Sequence, residues 1–396
     1  MGNTNIRQYD YIIAGAGAAG LSLAYYLAKS AINDSKVLIV DRDFSPLADK
    51  TWCFWHPGEP PLQPLIKKSW KKIRVAYRES VRQQQLGHHT YACIASQTFQ
   101  RELLQFIEEN SSFELLKAPA DRFENTADSA VLIADGKAYS ASYIFQSCFP
   151  PRHDPGQVHY PLVQHFLGWD LSADVNLFDP NTLTLMDFDE QFGEGIAFMY
   201  VLPWSQRKAL LEYTIFSPEP LPHSFYEHKI ENYLETRYQI PVSRCRINRR
   251  EYGEIPMELR PYRAWYAPRV MNLGVSGGLT KPTTGYTFSR LMDHTRAIAS
   301  ALEAGEPPPI PYRQPKRFSM YDLWLLEMIQ NRPDEALRVF KTLFRNNSMD
   351  LIFRFLSEQT TLSEDLKIMG SVPPVPFFKS IWKTRTVMKD LLSSSE

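Results

Sequence analysis

The sequence predicts an α/β fold in which a parallel-sheet domain is interrupted by an inserted mixed-sheet domain and followed by a helical carboxy-terminal section. Three observations predict it. A strand, a glycine-rich turn, a helix and a second strand follow one another over residues 9–41; strand-like segments dominate residues 156–252; a buried strand, a second glycine-rich loop and a helix return over residues 270–303. At about 150 residues per domain, a chain of 396 residues implies two to three domains. Its 44% hydrophobic and 22% charged residues suit a globule with a large core. Forty-four basic and 44 acidic residues cancel, with no long block of one sign, which argues against electrostatic binding to nucleic acid.

Tyr9 to Ala14 reads as a buried parallel strand and Ala18 to Lys29 as a helix packed on it through small Ala18, Ala19 and Gly20. Lys36 to Val40 is the next strand. Tyr11 to Ala28 carries no charge and has the length of a signal core or short membrane span. Gly15, Gly17 and Gly20 divide it into strand, turn and helix, so neither export nor spanning is expected. The start MGNTNI has Ile6 where an acylation signal needs Ser or Thr. Cys53, Cys93, Cys148 and Cys245 are scattered without a C-x-x-C pair, as expected of a reducing, cytoplasmic interior.

Phe99 to Glu109 has helical spacing, and Phe123 to Ser147 alternates like sheet around a turn at Asp135-Gly136. Pro150, Pro151 and Pro155 then break the pattern and close the first part of the parallel-sheet domain, residues 1–155. The insertion, residues 156–252, holds strands at Thr182 to Asp187, Ile196 to Leu202 and Lys208 to Phe216, and a polar-faced helix at Phe225 to Tyr238. Residues 253–310 resume the first domain with a strand at Val270 to Val275 and a helix at Tyr286 to Glu303. The run GEPPPIPYRQP leads into residues 311–396, helical and rich in aromatic side chains.

In GAGAAG the first glycine permits a tight turn, the second lets backbone approach a diphosphate, and the third lets the helix pack closely on the strand. The helix N-terminus offers unpaired N–H groups and a positive dipole end to that diphosphate. Asp41, 26 positions after Gly15, stands where a carboxylate accepts from a ribose. This is a Rossmann-type dinucleotide site, and it does not separate FAD from NAD. The second loop, GVSGGLTKPTTGY, also joins a strand to a helix. It could aim a second helix N-terminus at an isoalloxazine ring and favour negative charge there, or be a plain helix cap. Gln100 and Arg101 read as a solvated helix face, with diphosphate contact as the alternative.

GAGAAGLSLA, DKTWCFW at 49–55, QHFLGW at 164–169, LMDFD at 185–189, FMYVLPWS at 198–205, LLEYT at 210–214 and GGLTKPTTGY at 277–286 lie in order across most of the chain. Together they resemble the flavin-dependent lycopene β-cyclase family. The resemblance implies a Rossmann-type FAD-binding domain, with Gly278, Pro282 and Gly285 joining Gly15, Gly17, Gly20 and Asp41 at the cofactor. It implies reduced FAD as the active form, NAD(P)H as the electron donor, and a linear carotene, chiefly lycopene, as substrate. The net reaction it implies is isomerisation of ψ ends to β-ionone rings. The family's LEET-type acidic pair stands here as Glu212-Tyr213, with only the first carboxyl retained.

That chemistry needs an acid and a base. Glu212 lies in ALLEYTIF, where alternation puts Leu210, Thr214 and Phe216 on its face, so an apolar wall would raise its pKa above about 4.3 and keep it protonated. A solvated sheet face is the bland alternative. Trp52, Phe54, Trp55, Trp169 and Trp204 could stack on polyene or flavin, or simply fill the core. Asp187 and Asp189 could orient a proton carrier or be solvated turn carboxylates. The nine histidines lack metal-ligand spacing, so no metal is inferred. Phe377, Phe378, Ile381 and Trp382, mixed with Lys379, Lys383, Arg385 and Lys389, could form an interfacial membrane helix or pack on the domain. Competing readings are a flavin monooxygenase or halogenase, a prenyl-chain reductase, and a non-catalytic carotenoid carrier. The first usually needs a Gly-Asp pair where this chain has GVSGGL; Ala134-Asp135-Gly136 reads instead as a hairpin turn.

Overall fold

Short apolar runs without helical period, such as the VLIV that follows Lys36, form the middle of a six-stranded sheet. Its order is Trp265–Ala267, Val270–Asn272, Tyr143–Gln146, Tyr11–Ala14, Val37–Asp41, Phe113–Lys117, parallel except for the first pair. The structure, a computed structural model, describes residues 6–393 except 47, 79, 127, 151–157 and 313. Pro151, Pro155 and the first five residues, read above as a break and a failed acylation signal, lie outside the described residues. Helices Ala18–Lys29 and Phe288–Glu303 pack together on the sheet, joining Leu21, Leu27, Leu291 and Met292 to Ile13 and Ile39 in one core. The expected turn is present: strands Ala130–Ala134 and Lys137–Ala141 reverse at Asp135 and Gly136, both with positive φ, as a two-residue hairpin requires.

A seven-stranded sheet forms the second body, in the order Cys245–Leu259, His159–Ala173, Lys208–Ser217, Ile196–Pro203, Thr182–Phe188, Lys72–Tyr77, Ser80–Gln85. Only the Thr182–Phe188 and Lys72–Tyr77 pair is parallel. The two 15-residue strands at one edge were not read from the sequence. Cys245–Leu259 runs through the boundary expected at residues 252–253, and Lys72–Gln85 enters the sheet from before residue 155. The sheet therefore draws on segments from both sides of residues 156–252.

Both faces of this sheet are apolar, which is why Ile196–Pro203 is buried throughout. One face, through Met199, Val201, Leu211 and Ile215, packs on helix His223–Arg237 by Tyr226, Ile230 and Leu234. The opposite face, through Phe198, Tyr200, Leu210 and Phe216, meets a three-stranded sheet (Thr51–Pro57, His89–Ala95, Lys68–Trp70) and the carboxy-terminal helices. Those helices span Lys316–Asn331, Pro333–Asn346, Met349–Leu356, Leu362–Ser371 and Pro374–Ser393. Asp350 clamps them to the sheets by accepting from the backbone N–H of Gly87 at 2.7 Å and of His89 at 3.0 Å.

Candidate functional site

The first glycine turn has the shape its spacing demands. Gly15 has φ +108°, and a side chain at Gly20 would collide with the Gly15 carbonyl. Gly17 caps helix Ala18–Lys29 without a side-chain hydrogen bond, and a Cβ there would meet no atom within 4 Å. No atom crowds Gly17 at the start of this helix, which suits close approach of a diphosphate. Asp41 ends its strand beside the turn and accepts from the Ala16 N–H at 2.6 Å. Gln100 is buried and donates to the Ser45 carbonyl at 3.2 Å, so it is not on a solvated face. Arg101 is exposed and pairs with Glu102 at 2.8 Å.

The second glycine loop spans the distance between the two bodies. At its start a Cβ on Gly274 would lie 3.1 Å from Ala19 Cβ, beside the first turn. Gly278, with φ +78°, fits against Tyr262. At its end Gly285, with φ +69°, seats on the seven-stranded sheet, where a Cβ would lie 2.7 Å from Gln164 Oε1 and 3.1 Å from Ile255. Pro282 lies between two buried anchors. Lys281 Nζ is ion-paired with Asp322 at 2.7 Å and Glu358 at 3.1 Å, and Thr283 donates to Asp322 at 2.7 Å. The carboxy-terminal helices therefore hold this loop in place.

Glu212 sits on the sheet face that the loop adjoins. In register across the strands stand Tyr200, Glu212, Gly168 and Glu251. The Glu212 carboxyl is buried and accepts from Thr214 Oγ1 at 2.9 Å. Burial, and then the negative charge of Glu251, push its pKa well above the usual carboxylate range. Burial also raises Glu251, against the pull of its ion pair with Arg249. Above the pair, alternate residues of DKTWCFW point down: Asp49 pairs with Arg249 at 3.5 Å, Thr51 donates to Glu251 at 3.2 Å, and Cys53 neighbours Tyr200. The hydroxyls of Tyr200, Tyr91 and Tyr286 form a chain, with 2.9 and 2.6 Å links. Burial raises all three pKa values, so they remain phenols. Trp55 lies 4.2 Å from the Tyr286 ring, stacks on Phe353 at 4.7 Å and donates to Ser357 at 2.7 Å. A carboxyl that is buried beside aromatic side chains and holds its proton can deliver it to an apolar substrate.

Comparison with known proteins gives the chain a family. Residues 10–382 match the family described as "Lycopene cyclase protein". The chain belongs to the lycopene cyclase family. The lycopene beta-cyclase of Pantoea ananas is 24% identical over 396 residues, covering 94% of this chain and 97% of that protein. Among solved structures, a geranylgeranyl bacteriochlorophyll reductase-like protein of Thermoplasma acidophilum aligns with a TM-score of 0.57 at 16% identity, over 98% of this chain and 100% of that one. Aklavinone-11 hydroxylase, solved with FAD and aklavinone, aligns with a TM-score of 0.52 at 16% identity, over 76% of this chain and 63% of that one. The structural likenesses are of fold, and they agree with the α/β, Rossmann-type class with an added helical section.

Within this chain, the residues singled out from sequence part company. Glu212 and Trp55 both adjoin the linked phenols, Glu212 opposite Tyr200 and Trp55 against Tyr286. Trp52 points from the other side of its strand onto Phe99 and Phe288, at 5.3 and 5.7 Å, into the parallel-sheet core. Trp169 packs under helix His223–Arg237, on the face opposite Glu212, with Arg250 over its ring at 5.6 Å. Asp187 is on that far face too, held by Arg74 at 3.0 Å and Tyr233 at 2.8 Å. Neither can reach a substrate beside Glu212. Tyr213, which stands in place of the second LEET acid, also faces away and donates to Asp189 at 2.7 Å. Sequence reading missed Glu251, Arg249, Tyr91 and Tyr200. Arg249 and Glu251, two apart, share a face only once Cys245–Leu259 is recognised as a strand.

Proposed function

We propose that this lycopene cyclase converts the ψ ends of a linear carotene, chiefly lycopene, into β-ionone rings by acid–base carbocation cyclisation, with reduced FAD as cofactor and NAD(P)H as the donor that reduces it. The observation that carries this reading is the buried, proton-retaining Glu212 carboxyl on the sheet face where the second glycine loop ends. The fold neighbour that holds FAD supports the cofactor assignment. Gly15, Gly17, Gly20 and Asp41 would hold its diphosphate and ribose, and Gly278, Pro282 and Gly285 would line its ring. When bound and reduced, it supplies negative charge that favours a nearby cation.

The chain's own residues do the proton work. Thr214 fixes one Glu212 oxygen, and the carboxyl proton would add to C2 of the terminal C1=C2 bond. A carboxylic acid is a weak donor to an alkene, so proton transfer is coupled to attack of C5=C6 on C1, which forms the C1–C6 bond. Loss of the C6 proton then restores a double bond at C5=C6, with no net redox change. Tyr91, Tyr200, Tyr286 and Trp55 exclude water and present π faces to positive charge, an interaction worth about 0.5–2 kcal/mol each.

Access to substrate is through a lipid surface in this reading. No helix among the described residues is long and apolar enough to cross a membrane. On helix Pro374–Ser393, Phe378 and Trp382 are each 68% exposed, whereas Phe377 packs inward. With exposed Leu362, Leu366 and Val375, and with Lys379, Lys383 and Arg385 around them, they suit peripheral attachment. Expression in a lycopene-accumulating host tests the reading. A β-ring product with no stoichiometric loss of NAD(P)H supports it; a saturated product formed with consumption of NAD(P)H means a reductase, and unchanged bound pigment means a carrier.

A further inference from the structure

Gly168 lies on the His159–Ala173 strand directly between Glu212 on one neighbouring strand and Glu251 on the other. A Cβ at this position would stand 3.3 Å from Glu251 Cγ and 3.4 Å from Glu212 Cβ. Glycine leaves that gap open, so the two glutamate side chains adjoin across it, and burial and then the charge of Glu251 raise the Glu212 pKa. Two buried carboxylates so placed repel, which favours one acid beside one carboxylate. Their partners differ. Glu251 is ion-paired with Arg249 and accepts from Thr51 at 3.2 Å. Glu212 has a hydroxyl donor, Thr214, and among the described residues no ion pair of its own.

We propose that Glu251 is the proton-sharing partner of Glu212: the two carboxyls hold one proton between them, Arg249 keeps the charge on Glu251, and the acid is thereby confined to Glu212. The proposal rests on the cyclase reading and deepens it. The second carboxyl of the pair comes from a neighbouring strand instead of the next residue. Proton count balances through the cycle. The Glu212 O–H bond breaks as the C2–H bond forms, leaving two adjacent carboxylates. Their repulsion makes Glu212 a strong base, which takes the C6 proton as its C–H electrons become the C5=C6 bond. The pair is then back to one proton without an outside donor. Glu251 is a positioning residue here, acting through Glu212.

Other groups facing the pair are Asp49 and Cys53 from above, Cys93 and Tyr91 from the strand beside them, Tyr200 and Asp170 on the sheet, and Tyr286 of the loop. None of these is a cation; Arg249, paired with Glu251, keeps Asp49 at 3.5 Å and Asp170 at 3.8 Å if Glu251 is neutralised. The Glu251→Gln protein should therefore fold.

The test compares wild type, Glu251→Gln, Glu251→Asp and Glu212→Gln, reconstituted with FAD and reduced, acting on lycopene in micelles across pH. With its negative neighbour removed, Glu212 loses its proton at lower pH. The alkaline limb of the Glu251→Gln profile should move acidward, giving a loss of about tenfold at neutral pH with recovery in acid, and Glu251→Asp should restore it. A second readout needs no turnover: the infrared C=O band of a buried carboxylic acid should be present in wild type, absent in Glu212→Gln, and titrate at lower pH in Glu251→Gln. An unmoved limb and band in Glu251→Gln would overturn the proposal, as would a loss equal at every pH with the band unchanged. If wild type forms no ring, or Glu212→Gln turns over normally, the cyclase reading or the role of Glu212 has failed instead, while the infrared band still reports on the pair.

Discussion

On its two faces the seven-stranded sheet treats the partly buried Asp187 and Asp189 and the buried Glu212 in opposite ways. On the face under helix His223–Arg237, each aspartate has a cation and a phenol: Asp187 holds Arg74 and Tyr233, and Asp189 holds Lys229 at 2.7 Å and Tyr213. Burial would raise Asp189, but Lys229 and Tyr213 outweigh it and its pKa is lowered. On the face under DKTWCFW, Glu212 is set beside a second carboxyl in a phenol-lined enclosure, and its pKa rises. The first arrangement is what a stable core requires. The second costs stability, and such a cost marks a site where proton transfer is needed. Charge compensation, rather than burial, separates the structural carboxylates from the one we propose as reactive.

Substitutions sharpen this contrast. The largest effect is expected for Glu212→Gln, which should lower carotene turnover by about 10²–10⁴-fold at unchanged flavin content; pigment analysis alongside flavin absorbance checks it. Asp187→Ala should do the reverse, leaving buried Arg74 unpaired at a cost of about 3–5 kcal/mol in denaturant unfolding, with turnover per folded molecule retained. Asp350 is raised by burial, but the N–H groups of Gly87, His88 and His89 and the His89 ring bring it down to about 2. Its stabilisation is complete above the ordinary value of 3.8 and lost as pH falls towards 2. Asp350→Asn should therefore lower stability by about 1–2 kcal/mol at neutral pH, and the gap should close below that window. Lys229→Met, at a half-buried pair, should cost only about 1 kcal/mol and leave turnover unchanged. The smallest effect is one of direction: a raised carboxyl loses folded-state stability as pH climbs from the ordinary range to its shifted one. Glu212→Gln should thus gain thermal stability over wild type as pH rises from acid to neutral.

The parts legible in sequence were those with local signals. The glycine turn, Asp41, the Asp135-Gly136 hairpin and the Lys208–Ser217 strand each follow from spacing within a few residues, and they stand where that spacing puts them. Trp169 and Glu251 depend on parity in two long strands whose mixed polarity hid them. Gly168 and Trp169 are adjacent, so one faces Glu212 and the other faces helix His223–Arg237. Asp187 was misplaced for a different reason. A bulge between Thr184 and Asp187 breaks the alternation, so Leu183, Leu185 and Phe188 share one face and Asp187 turns to the other. The Lys281 anchor joins residues 41 positions apart and is invisible to any local period.

In the proposed reaction an exchangeable carboxyl proton on the Glu212 face starts a redox-neutral ring closure. A single turnover of flavin-reduced protein with lycopene in heavy water, followed by mass analysis of the carotene, tests it directly. The account predicts one deuterium at C2 for every ring formed by wild type and no ring from Glu212→Gln. Rings free of deuterium, or rings formed by the Gln variant at the wild-type rate, would contradict it.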